Sequence, residues 1–160
     1  QVSNTGTKLG AQWLKTILEP RGYRLHVAER FYSFAHFDST VIPLRPGLVL
    51  LNGARLSKDH YPPLFKDWDK IFFPADKIVD IKSQLPNNIS TTSPYIGLNL
   101  LSVNENLVIC DVNQTHLRKQ LDAYGIESIG LEMRHARILA GGFHCVTLDT
   151  KRKGTRQDYF

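Results

Sequence analysis

The sequence predicts an α/β fold built from repeated small modules, each with a mixed sheet. Three observations carry this. A layout of hairpin, then helix, then strand occurs about twice along 160 residues without a clean sequence repeat. Strong turn signals separate the hairpin strands, Arg45-Pro46-Gly47 in one case and Asn104-Glu105-Asn106 in the other. One such module could not bury its own apolar face, so several must pack together. The antiparallel hairpins argue against a doubly wound parallel sheet.

The elements follow in order. Leu9, Trp13, Leu14, Ile17 and Leu18 recur at helical spacing, and Pro20 with Gly22 stops that helix. Residues 23–27 alternate Tyr, Leu and Val with Arg and His and read as a strand. The stretch 30–38 is aromatic and irregular. Residues 40–44 and 48–51 form the first hairpin, with Pro43 expected at an edge or a bulge because it cannot donate a ladder bond. A short helix near residues 63–68 and a strand over 70–73 follow. Residues 74–95 read as a long loop, marked by Pro86-Asn87-Asn88 and Ser90-Thr91-Thr92-Ser93-Pro94. Residues 98–103 and 107–111 form the second hairpin. A helix begins at Thr115, places Leu117, Leu121 and Tyr124 on one face and ends at Gly125. Residues 126–133 read as a strand, and 145–149 as a last one after Gly141-Gly142.

Composition bounds the function. With 42% hydrophobic and 22% charged residues the chain is neither disordered nor membrane-spanning. It opens Gln1-Val2-Ser3-Asn4, without a signal-peptide pattern and without an initiator Met, and this start reads as an excised or truncated end. The net charge is +5, much of it in Lys151-Arg152-Lys153-Gly154-Thr155-Arg156. No aromatic residue interleaves with these cations, so the run reads as a solvated segment rather than a nucleic-acid site. Cys110 and Cys145 lie in no zinc pattern and look like the reduced thiols of a cytosolic protein, so no structural metal is expected. Cys110 ends an apolar run and reads as a core residue.

Cys145, just after a Gly-Gly turn, is the candidate nucleophile, since the glycines let another group approach closely. A lone cysteine is also a common small core hydrophobe, and the spacing alone leaves both readings open. If the last strand has begun at His144, that side chain faces away from the Cys145 sulfur. The candidate base is then the distant His36, in an irregular loop. In His36-x-Asp38 on an extended segment both side chains face one way, one an imidazole and the other a carboxylate for a cation; the alternative is an ordinary loop histidine and turn aspartate. His26, His60, His116 and His135 show no metal-site spacing, and no Gly-x-Gly-x-x-Gly run supports nucleotide binding.

The stretch Arg134-His135-Ala136-Arg137-Ile138-Leu139-Ala140-Gly141-Gly142-Phe143-His144-Cys145-Val146-Thr147, with Asp149, Lys151-Arg152-Lys153-Gly154 and Tyr159, resembles the C-terminal signature of the arginine:glycine amidinotransferase family. Gln1-Val2-Ser3-Asn4, Leu9-Gly10, Trp13-Leu14, His36-Phe37-Asp38-Ser39-Thr40 and Pro46-Gly47-Leu48-Val49-Leu50 follow that family in the same order. The resemblance implies a pentein-type five-module α/β propeller, shared with arginine deiminases. Residues 1–160 would be the C-terminal two to three modules of its catalytic domain. It implies Cys145 as nucleophile, His36 as general acid/base, Asp38 as a carboxylate on the guanidino group, Arg55 as the partner of the substrate carboxylate, and Thr92 and Ser93 as site-lining residues. An upstream aspartate of the family has no counterpart in this sequence, so the fragment alone is expected to have an incomplete pocket and to be inactive.

The implied reaction moves the amidino group of arginine to an acceptor amine through an amidino-cysteine, releasing ornithine. It needs no cofactor or metal, and its partners are small molecules, with no nucleic acid and no membrane; a homodimer and a cytoplasmic location are compatible with it. Val146 stands where the family commonly has Trp, and Ala140 where it commonly has Gly. The smaller Val146 opens the acceptor question: glycine is the default, and a larger amine of a cyanobacterial toxin pathway also fits. The rival readings are a guanidino-group hydrolase like arginine deiminase, and a non-catalytic binding module on the same fold.

Overall fold

Two three-stranded mixed sheets carry the molecule, and each repeats one recipe. In the computed structural model, which describes residues 1–32, 35–81, 90–151 and 157–160, β1 (Val41–Arg45) and β2 (Leu48–Asn52) form an antiparallel hairpin. The turn at Gly47 has φ +80°, a left-handed conformation that glycine takes without steric cost. Strand β3 (Asp69–Phe73) then returns parallel to β2 through a crossover that contains a 3₁₀ turn, Pro63–Phe65. The second sheet repeats this with the hairpin β4 (Leu101–Asn104) and β5 (Leu107–Asp111), followed by β6 (Glu127–Leu131) parallel to β5. The predicted layout of hairpin and return strand is therefore present twice, with strand orders β1-β2-β3 and β4-β5-β6, but only the second crossover holds an α-helix. Pro43 sits on the edge strand β1, next to a register shift between Pro43 and Arg45, where its missing N–H is tolerated.

The two modules close on each other. Ile42, Leu44, Leu48, Leu50, Ile71 and Phe73 of the first pack in one core with Leu98, Leu100, Val108, Cys110, Leu117, Leu121 and Ile126 of the second. Strand β2 turns Val49 and Leu51 the other way, onto Leu56, Phe65 and Trp68, so both faces of the first sheet are covered. Side-chain alternation along a strand produces this split. Cys110 is a core residue, and burial pushes its thiol up to about 11.

The helices bear out the spacing arguments in part. Helix α1 (Lys8–Leu18) starts at Thr7, whose hydroxyl accepts from Gly10 N at 3.0 Å, and ends in a 3₁₀ turn at Glu19–Arg21 with Gly22 at φ +75°. None of its residues is buried, and Leu9 and Trp13 stand well exposed among the described residues. Helix α2 (Thr115–Ala123) buries Leu117 and Leu121, with Gly125 at φ +71° just beyond.

Two expectations fail. Residues 23–27 form no strand: the segment is mostly exposed, so its alternation has no surface to pack against. Residues 145–149 are not a strand either. The chain turns there, with Val146 N donating to Gly142 O at 3.2 Å and Thr147 N to His144 O at 3.2 Å. A short helix unread in the sequence, α3 (Ala136–Leu139), precedes that turn. The Pro86-Asn87-Asn88 turn and most of the basic run, residues 152–156, lie outside the described residues. Among the described residues no helix is long and apolar enough to cross a membrane.

Candidate active site

The site is assembled from two segments more than a hundred residues apart. The first runs from His36 into β1. His36 has φ 63° and ψ 49°, a left-handed conformation uncommon outside glycine, and the 3₁₀ turn Phe37–Ser39 follows it. The segment is therefore not extended, as the His-x-Asp argument assumed. His36 and Asp38 converge because the backbone folds tightly between them. Ser39 Oγ donates to His36 O at 2.8 Å and fixes that turn. Strained backbone of this kind persists where the surroundings over-determine it, and it gathers at functional sites.

The second segment is the turn 140–147. The positive φ falls on Ala140, at 58°, and not on either of the glycines that follow it. Gly141 and Gly142 are needed for space instead. A Cβ on Gly142 would lie 2.6 Å from Asn99 Cβ, and one on Gly141 would lie 2.9 Å from Cys145 Cβ. This close approach lets buried Asn99 organise the turn: its Oδ1 accepts from Cys145 N at 3.1 Å and its carbonyl from His144 N at 3.4 Å.

The two segments meet at the Cys145 sulfur. His36 Nδ1 lies 3.2 Å from Cys145 Sγ, and the thiol donates to Asp38 Oδ2 at 3.3 Å. His144 Nδ1 is 2.7 Å from the same Oδ2. Because residue 145 begins no strand, His144 is not turned away from the site; it leaves the sulfur to His36 and holds the carboxylate. Burial pushes the Asp38 carboxyl up, but the Asn99 amide, His144 and the Cys145 thiol outweigh it, and the net shift is downward. The Asn99 amide lies near, yet neither its Nδ2 nor Asp38 Oδ1 has a hydrogen-bond partner of acceptable geometry. For Cys145, burial pushes the thiol up; the Gly142 backbone opposes this, the charge and hydrogen bond of Asp38 add to it, Asn99 opposes it least, and the net shift is upward. The neutral thiol is thus favoured until positive charge arrives.

A third group lies on the Asp38 side of the turn. The half-buried Arg55 guanidinium donates to Ser39 Oγ at 3.1 Å, Thr40 Oγ1 at 2.5 Å, Tyr32 Oη at 3.1 Å and Ser93 Oγ at 2.8 Å. It also stacks 3.7 Å from the Tyr32 ring centroid. Burial lowers its pKa while Tyr32 and Tyr95 oppose the shift. No carboxylate pairs with it among the described residues. A cleft of about 370 Å³ opens at Arg55, lined by Val2, Arg30, Phe31 and Tyr32, and does not extend to Cys145.

Of the six residues singled out in the sequence, Cys145 touches both His36 and Asp38, and Ser93 touches Arg55. Thr92 stands apart: its carbonyl accepts from Arg137 Nη1 at 2.5 Å and its hydroxyl is buried without a partner. Sequence reasoning missed Asn99 and the role of His144. Asn99 did leave a signal, as a lone amide inside the apolar run 96–101.

Known proteins share this architecture. The solved inosamine-phosphate amidinotransferase StrB1 of Streptomyces griseus superposes with a TM-score of 0.88 at 38% identity, covering 98% of this chain and 44% of that one. The mixed α/β sheets are thus those of a pentein-type amidinotransferase fold. Inosamine-phosphate amidinotransferase 1 of Streptomyces glaucescens is 40% identical over 158 residues, 99% of this chain and 44% of the relative. Mitochondrial glycine amidinotransferase of Gallus gallus is 36% identical over 163 residues, all of this chain and 37% of the relative. No family model matches the chain. The chain is homologous along nearly all its length to the amidinotransferases, as its motifs imply, and spans less than half the length of these relatives.

Proposed function

We propose that residues 1–160 are the Cys145-bearing part of an amidinotransferase catalytic domain, which moves the amidino group of L-arginine to an acceptor amine. The observation that carries this is the convergence of Cys145 Sγ, His36 Nδ1 and Asp38 Oδ2 in a chain homologous to amidinotransferases.

In this reading the arginine guanidinium enters beside Asp38, whose depressed carboxyl pKa keeps it anionic and able to bind the planar cation. The cation counters the burial and the Asp38 charge that hold Cys145 as a thiol, and so favours its thiolate. The sulfur attacks the guanidinium carbon. The C–N bond to the departing amine breaks, His36 supplies the proton that amine needs, and ornithine leaves an amidino-thioether on Cys145. The acceptor amine then attacks the same carbon, His36 takes its proton, and the C–S bond breaks to restore the cysteine. Splitting the transfer through a covalent intermediate predicts ping-pong kinetics. The Arg55 fork, held by neutral hydroxyls and aromatic faces, suits the substrate carboxylate.

The acceptor is glycine or a larger biosynthetic amine such as the inosamine phosphate named for the Streptomyces relatives. Val146 is 66% exposed beside the nucleophile and leaves room for a larger acceptor. The test is product analysis with the intact protein. Ornithine formation that depends on an added amine supports transfer; citrulline formed from arginine and water without an acceptor overturns it.

A further inference from the structure

The sequence carries no metal-ligand spacing, but folding brings three metal-ligating side chains of different chemistry to one point. His36 Nδ1, Asp38 Oδ2 and Cys145 Sγ all lie within 4.8 Å of one another. We propose that this cluster is a binding site for a thiophilic divalent cation, Zn²⁺, whose occupancy shuts off the cysteine.

The donor set selects the ion. A sulfur ligand excludes Mg²⁺ and Ca²⁺, which take oxygen ligands. One sulfur, one imidazole nitrogen and one carboxylate oxygen suit Zn²⁺ in tetrahedral coordination, with a fourth position left to solvent. Tetrahedral bonds of about 2.3 Å to sulfur and about 2.0 Å to nitrogen or oxygen separate such ligands by roughly 3.5 Å. The observed separations from Sγ are 3.2 Å to His36 and 3.3 Å to Asp38, close to that value, while the His36 and Asp38 ligand atoms lie within 4.8 Å of each other and would draw together on the ion.

Neighbouring groups fix the segments that carry the ligands. His144 Nδ1 contacts Asp38 Oδ2, Asn99 Oδ1 anchors the Cys145 amide, and Ser39 Oγ ties the His36 carbonyl. Such outer contacts orient metal ligands. A second oxygen, Asp38 Oδ1, is buried beside the Asn99 amide without a hydrogen-bond partner. Cys145 is exposed, so an ion can reach it from solvent. Binding replaces the thiol proton, which leaves to solvent, and forms the S–Zn bond with no change of oxidation state. The inference goes beyond the transferase reading and does not depend on it.

The intact protein, reduced and stripped with a chelator, would be titrated with ZnCl₂ by calorimetry and, in parallel, with CoCl₂ by absorption spectroscopy. One Zn²⁺ per cluster is expected, released by chelator, together with a thiolate-to-cobalt charge-transfer band; MgCl₂ should give no heat. Cys145→Ser and His36→Ala should each weaken Zn²⁺ binding at least about 100-fold, and His144→Gln about tenfold, with circular dichroism unchanged. Zinc should protect Cys145 from iodoacetamide. No saturable zinc binding, binding without the cobalt–thiolate band, or Cys145→Ser binding as tightly as wild type would each overturn the site. Arginine turnover is measured on the stripped protein before zinc is added, since zinc is expected to abolish it. Turnover without zinc binding sinks only this inference, and zinc binding at Cys145 without turnover sinks only the transferase reading.

Discussion

The two ends of the site are built on opposite principles. At one end Arg55 is half-buried and held by four side-chain hydroxyls and the face of Tyr32. At the other, Cys145 is solvent-accessible, and partial burial of its sulfur, with Asp38 adding to it and the Gly142 backbone opposing, pushes its thiol up. A guanidinium in a ring of neutral partners keeps its charge uncompensated and its geometry fixed, which suits binding. A thiol beside a carboxylate stays quiet until a cation neutralises that carboxylate, which suits chemistry triggered by substrate. In the proposed reading the Arg55 end supplies affinity and the Cys145 end the reaction.

The largest effect should come from breaking the reactive end. Cys145→Ala is expected to lower arginine turnover at least roughly 10⁴-fold while leaving binding of arginine nearly unchanged, as read by calorimetry. His36→Ala should cost about 10²–10⁴-fold in kcat and remove one limb of the pH–rate profile; a wild-type rate of amidino-enzyme formation would remove the acid role. The binding end should respond differently. Arg55→Lys keeps a charge but loses the fork, and is expected to raise KM roughly tenfold to a hundredfold with little change in kcat. A fall in kcat with KM unchanged would contradict the division between the ends.

Smaller effects sharpen the same contrast. The charge of Asp38 helps to hold the thiol up, so Asp38→Asn should shift the pH profile of Cys145 alkylation in the free protein to lower pH. No shift would mean that burial alone sets the thiol. Asp38 itself is depressed below its ordinary 3.8, so its contribution to stability is present above that value and is lost as pH falls through the folded pKa. The smallest change is expected at the turn. Ala140→Gly relieves a left-handed alanine and should alter stability by about 1 kcal/mol or less, whereas Gly142→Ala should destabilise by about 1–3 kcal/mol, because its Cβ would strike Asn99. Thermal unfolding distinguishes them.

Where burial and period agree, the sequence was a good guide. The hairpins around Gly47 and residues 104–106, the parallel return strands and the buried face of α2 were all legible, because alternation and turn chemistry point to one answer there. Residues 23–27 and 145–149 misled for one shared reason. A period-2 pattern says only that one side could be buried, and neither segment finds a strand to pair with. At the site, residue types were legible and geometry was not. The Gly-Gly pair pointed to a close approach, but the partner, Asn99, lies more than forty residues upstream. His36 and Asp38 were paired on the assumption of an extended segment, and a left-handed residue followed by a 3₁₀ turn brings them together instead. No local pattern could have assigned His144 to Asp38, since that contact exists only after the two segments dock.

The most direct test is mass spectrometry of the intact protein after exposure to arginine alone. The account predicts an amidino adduct confined to the peptide carrying Cys145, formed with release of ornithine and discharged when an acceptor amine is added. Turnover of arginine with Cys145 unmodified, or an adduct that persists in Cys145→Ala, would contradict it.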